Sequence, residues 1–190
     1  MPVKPLAPRY TIEDLGETLV VSIPSLKMWP FILLFSFWSF WWIGLEVVFL
    51  IALFTAKESS RINALIIIAI WTVAGAFLLY NLFWQVFGKE EIQVTALSIM
   101  ISHVVLGYKR SKEFLAENIR DLGLARVSMR DLLYRRWPFP LLGSDAGSIS
   151  FDYGARTYRF AASLDDAEAK QLIAAVQQKY PQYKQQIQEP

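Results

Sequence analysis

The chain has 190 residues, a formal net charge of +2, no cysteine and 54% apolar residues, which is room for one ordinary domain plus a small membrane portion. Phosphate binding needs a basic stripe or patch, so the small net charge gives no nucleic-acid footprint and no nucleic-acid partner is expected. Without cysteine there are no disulfides, thiolate nucleophiles or cysteine metal sites, although the redox compartment stays open.

Residues 10–24, YTIEDLGETLVVSIP, alternate apolar and polar around a turn at 14–17 and predict a β-hairpin. Two strands alone bury too little surface to be stable in water, so this hairpin must pair with something further along the chain.

Two apolar blocks follow, residues 28–56 and 62–88, separated by a short polar loop at 57–61. At about 1.5 Å per helical residue each is long enough to cross a hydrocarbon core of roughly 30 Å. A soluble buried helix is also apolar all round, but two in succession with a polar break between them argue for a transmembrane hairpin. The first block is not expected to be a cleaved signal peptide, because some 27 mostly polar residues precede it. Lys4, Arg9 and Lys27 lie before the first block, Lys57 and Arg61 between the two, and Lys89, Lys109, Arg110 and Lys112 after the second. Two spans and the positive-inside rule then predict both termini in the cytoplasm and a periplasmic loop at 57–61.

Glu46 is the carboxylate inside WSFWWIGLEVVFL. If the hairpin turns near Ser59, facing residues have numbers that sum to about 117, which sets Glu46 near Trp71, Thr72 and Gly75 and Ser36 level with Asn81. On the same register Gly44 meets the Ala74-Gly75-Ala76 stretch, where small residues permit close backbone approach. A lipid-facing charge at that depth costs at least about 2.5 kcal/mol, so Glu46 should face protein. It reads as a hydrogen-bonded interface residue or, alternatively, as part of a proton or ion relay; against the relay, neither span offers a second acid, a base or a histidine. Asn81 and Gln85 take the same interface reading. Trp38 shares a helix face with Trp41 and Trp42, which serves packing within the hairpin or against lipid or, alternatively, a partner helix or a bound hydrophobic molecule.

After the second block, strands are predicted at 92–95, 97–103, 108–115 and 119–127, then a hairpin of 149–153 and 157–161 about Gly154-Ala155. Residues 163–180 predict an amphipathic helix capped by Ser163 and stopped by Pro181, with a polar tail at 181–190. The economical arrangement puts residues 9–24 in the same mainly antiparallel β barrel as residues 90–162. The fold class is then an α+β membrane protein, with the transmembrane hairpin inserted between the second and third strands and a C-terminal helix capping the barrel.

This order of strands and helix is that of a pleckstrin-homology (PH) fold. The runs GKEEIQVTALSIMISHVVLGYKRSKEFLAENIRDLGL and GSISFDYGARTYRFAASLDDAEAKQLI, with WIGLE in the first span and FWQVFGKEEI leaving the second, resemble the bacterial PH-like family. The chain is similar to two-span bacterial inner-membrane proteins whose PH-like domain is split by a membrane hairpin, proteins without an assigned activity. The resemblance implies fold and location in a lipid bilayer, and names no reaction.

His103 has no cysteine and no second histidine to build a metal site with, and reads as a sheet or loop residue. No hydrolase, nucleotide-binding or zinc-protease motif occurs, so no enzyme activity, cofactor or metal is expected. Glu90 and Glu91 point to opposite faces of a strand and read as its start in water. Lys109, Arg110 and Lys112 are candidates for headgroup or partner contact, although the acidic first turn, Asp14 and Glu17, argues against a phosphoinositide site. Arg135, Arg136 and Trp137 suit a loop resting on headgroups or, equally, a proline-rich connection packed on its own domain. The expected function is a membrane-anchored binding or assembly module with a protein partner or a second copy; the alternative is a small oligomeric proton-coupled channel or transporter subunit using Glu46.

Overall fold

The computed structural model of the chain describes residues 8–55, 57–125 and 147–184. It is α+β and divides into two compact units: a helical one, Lys27–Val86, and a β-rich one built from the segments on either side.

In the β-rich unit, β1 (Thr11–Asp14) and β2 (Leu19–Pro24) form the predicted first hairpin. Asp14 accepts the Gly16 N–H at 2.9 Å, and Gly16 sits at φ 83°, a conformation that glycine adopts at little cost. Next comes β3 (Lys89–Val94), which pairs antiparallel with β2 from Leu19↔Val94 to Pro24↔Lys89. The chain thus returns to the same sheet after the helices, and Ser25 N–H donates to the Gly88 carbonyl at 3.0 Å where they leave and re-enter it. A tight hairpin links β4 (Ser98–Val105) to β5 (Tyr108–Leu115), which completes a five-stranded sheet in the order β1-β2-β3-β4-β5. Strands β6 (Ile119–Leu124), β7 (Ile149–Tyr153) and β8 (Arg156–Phe160) form a second, three-stranded antiparallel sheet. Neither sheet closes on itself among the described residues, so the expected single barrel is replaced by two open sheets sharing one core.

That core takes the alternate residues of each strand: Val21, Ile92 and Ile99 from the first sheet, Ile149 and Phe151 from the second. Each such side chain contributes about 1.5–3 kcal/mol by leaving water. Phe114 joins the sheets, its ring lying 5.0 Å from Phe151 and 4.7 Å from Tyr158. The C-terminal helix, here α3 (Asp166–Lys179), buries Ala169, Leu172 and Val176 against this core. Its N-cap is Asp165, not Ser163: the Asp165 carboxylate accepts the Glu168 N–H while the Glu168 side chain accepts the Asp165 N–H, a reciprocal box that a serine two residues earlier is out of position to make. Pro181 ends the helix as expected, but the chain turns back rather than trailing off at once. Tyr180 and Tyr183 are buried, and their hydroxyls donate to the Glu17 and Thr95 carbonyls.

The helical unit consists of α1 (Trp29–Thr55) and α2 (Glu58–Phe87), so most of the expected loop at 57–61 is the first turn of α2. Each contains a 27-residue stretch long and apolar enough to cross a membrane. Only 11% and 6% of the most apolar windows are buried, which sets these helices apart from the core helices of a water-soluble domain. The least exposed positions of α1 run Ile32, Phe35, Ser39, Trp42, Glu46, Phe49, Leu53, and those of α2 include Ala64, Ile68, Trp71, Gly75, Leu78, Leu82, Gln85. Both are alternating three- and four-residue steps, the spacing that keeps one seam of a helix facing another.

Candidate functional site

The seam of the helical unit contains five of the candidate residues: Glu46, Thr72, Gly75, Asn81 and Gln85. The Thr72 hydroxyl lies 2.6 Å from Glu46 Oε1 and 2.8 Å from the Ile68 carbonyl, two acceptors that compete for its one hydrogen. One turn toward the hairpin bend, Phe49 and Trp71 meet edge to face at 5.6 Å. The facing positions therefore follow the register that the turn position predicts, and Glu46 does stand against Thr72.

Gly75 has a different role from the expected one. A Cβ there would lie 1.8 Å from the indole of Trp42, so Gly75 is a notch that admits a large ring. Gly44 has nothing within 4 Å of the position its Cβ would take, and it does not meet the Ala74-Gly75-Ala76 stretch. Gly44 lies two residues from both Trp42 and Glu46, which turns it some 200° around the helix from either. The same phase makes Ser39 the buried serine and leaves Ser36 exposed. Of the expected aromatic face, Trp42 turns inward, whereas Trp38 and Trp41 remain more than half exposed.

Several buried polar atoms lie along the seam. Asn81 is fully buried, and its Nδ2 donates to the Phe77 carbonyl at 2.7 Å. Among the described residues, Ser39 Oγ, Trp42 Nε1, Glu46 Oε2, Trp71 Nε1 and Asn81 Oδ1 are buried without a hydrogen-bond partner. Each such atom costs about 1–3 kcal/mol unless a water or another chain satisfies it. Gln85 is buried as well.

The basic candidates of the β-rich unit are divided between two faces. Lys109 reaches Glu91 at 3.3 Å on one face of the first sheet. Arg110 and Lys112 follow the register of His103 and Ile101 onto the other, where the Lys112 ammonium sits 5.9 Å from the Tyr158 ring centre. Partial burial, with Lys112 and Arg110 adding positive charge, holds His103 below its ordinary pKa. Arg135, Arg136 and Trp137 lie outside the described residues.

Glu90 departs most from expectation. It is buried, on the same face as Ile92 and Val94, and its Oε2 accepts the Ala161 N–H at 3.0 Å. Burial pushes its carboxyl up to about 7, against the opposing pull of that hydrogen bond. The period-two phase of Glu90, Ile92 and Val94 was visible in the sequence and points to this placement.

Elsewhere in the β-rich unit, an open groove of about 1160 Å³ is lined by Leu97, Arg120, Asp121, Asp152, Tyr183 and Lys184 among others; both charge signs line it, which favours no ligand charge. No three His, Asp or Glu side chains among the described residues are grouped to hold a metal ion. Searches of protein-family models, curated proteins and solved structures give no match for this chain.

Proposed function

We propose that the chain is a non-enzymatic, membrane-anchored PH-like module for binding and assembly, an accessory subunit of a larger complex in the bacterial inner membrane with both termini in the cytoplasm. The observation that carries this reading is the pairing of β2 with β3 across the helices. Two apolar helices inserted between paired neighbours of one sheet would anchor that sheet at a membrane. The PH-like assignment rests on strand order, the insertion between the second and third strands and the capping C-terminal helix. An assembly role for the hairpin draws on its unsatisfied seam, since polar side chains within membrane helices hydrogen-bond across helix interfaces. Purification in mild detergent tests the reading: a co-purifying protein or a defined oligomer supports it, and a lone monomer contradicts it.

A second reading, a small oligomeric proton-coupled channel or transporter subunit, is favoured by one observation, the unpartnered Oε2 of Glu46. Glu46→Gln separates the two. Transport falls steeply if the acid carries protons, whereas assembly survives, because glutamine still hydrogen-bonds.

A further inference from the structure

The outer edge of the five-stranded sheet at β5 has the features of a docking strand. β5 spans eight residues, and six consecutive ones, Tyr108 through Glu113, are exposed. Edge strands of this length are ordinarily shortened, bulged or covered, because their free N–H and C=O groups template pairing. The other edges follow that rule. β1 has four residues, and the ammonium of Lys179 is bonded to Asp14 at its end; β6 is interrupted by a bulge between Arg120 and Gly123; β8 has five residues.

The direction of the free groups follows from the turn. Leu106 and Gly107, at φ 48° and 86°, make a two-residue turn of the type that requires positive φ at both central positions. In such a hairpin the flanking pair, Val105↔Tyr108, is hydrogen-bonded, and hydrogen-bonded and non-hydrogen-bonded pairs alternate from there. The backbone groups of Lys109, Ser111 and Glu113 therefore point outward from the sheet edge.

The side chains state what strand would fit. Lys109, which also reaches Glu91, lies on one face with Glu113, and Arg110 and Lys112 lie on the other, so cations flank the edge from both sides. A headgroup is best held by cations gathered on one surface. An added strand, whose successive residues also alternate in face, can set one acid against Lys109 and others against Arg110 and Lys112.

We propose that β5 is a strand-addition site for an acidic, extended segment of a partner protein, which pairs with the outward groups of Lys109, Ser111 and Glu113 and places carboxylates against Lys109, Arg110 and Lys112. This rests on the assembly reading and names the chemistry of its partner.

The test uses the full chain in mild detergent and a fluorescent synthetic peptide of about eight residues, Val-Glu-Glu-Val-Glu-Glu-Val-Glu, which carries glutamates on both faces of an extended strand, with the same peptide bearing lysine for glutamate as control. The acidic peptide binds, and backbone amides of Lys109, Ser111 and Glu113 gain protection from hydrogen exchange. Glu113→Pro removes one outward donor without touching the ladder to β4 and weakens binding about tenfold or more; Arg110→Glu with Lys112→Glu does the same. Glu113→Lys tightens binding several-fold, a change that misfolding cannot produce. Equal binding of both peptides, indifference to Glu113→Pro, or binding to phosphatidylglycerol vesicles without peptide binding overturns the proposal. Crosslinks from another surface to a partner protein, with no peptide binding, overturn it while leaving the assembly reading intact.

Discussion

The indole of Trp42 occupies the space that a side chain on Gly75 would need: a Cβ there would stand 1.8 Å from two ring carbons. Tryptophan on α1 and glycine on α2 thus form one packing unit, although each alone reads as belt aromatic or small-residue contact. Gly75→Ala gains about 1 kcal/mol of helix propensity but drives a methyl group into a rigid ring, an overpacking cost of about 1–3 kcal/mol. The net result is a less stable hairpin. In the Trp42→Ala background the same change loses its penalty, and chemical unfolding of the four proteins in detergent measures that coupling.

Thr72→Val removes the hydroxyl beside Glu46 Oε1 and leaves both carboxyl oxygens unpartnered among the described residues. The expected loss is about 0.6 to 1.7 kcal/mol in the same unfolding assay, the range of hydrogen bonds between membrane helices. Thr72→Ser keeps the hydroxyl and most of the stability.

Glu90 makes stability depend on pH near neutrality. Its folded value of about 7 lies above the ordinary 4.5, so the folded state holds the proton more tightly than the unfolded one. Its contribution is fully present below pH 4.5 and is lost as pH rises through 7, to a total of about 3 kcal/mol. Glu91 and Asp14, held low by Lys89 and Lys179 respectively, and His103, also held low, have the opposite slope. The comparison is therefore wild type against Glu90→Gln, whose amide oxygen still accepts from Ala161. Between pH 5 and pH 9 the wild type should lose stability relative to the variant; parallel denaturation curves would show that Glu90 does not titrate there.

Asp165→Ala opens the capping box of α3 and should cost about 1 kcal/mol by denaturant unfolding. Ser163→Ala should change stability by less than about 0.5 kcal/mol, since Ser163 takes no part in the cap.

Most of the β elements were legible because their alternation is clean and their turns contain glycine. The β2–β3 pairing could be inferred because an isolated N-terminal hairpin has nowhere else to bury Val21 and Ile23. The division into two sheets was not legible: separation of β5 from β6 depends on how Phe114 packs against Phe151 and Tyr158, contacts distant in sequence. In the helices, the turn position fixed which residues lie level, hence Glu46 beside Thr72. It did not fix rotation about each axis, and so Gly44, expected against the Ala74-Gly75-Ala76 stretch, faces away from it. Glu90 was misread because its charge suggested water, while its phase with Ile92 and Val94 pointed inward.

If the proposed assembly role holds, the β-rich unit keeps another protein at the membrane. Crosslinking with mass spectrometry on native membranes, with Glu46→Gln run in parallel, tests it most directly. Reproducible links from Lys109 and Lys112 to one other protein, unchanged in the Gln variant, are expected. Links confined to copies of this chain, together with altered proton flux in vesicles containing the Gln variant, would contradict it and favour the channel.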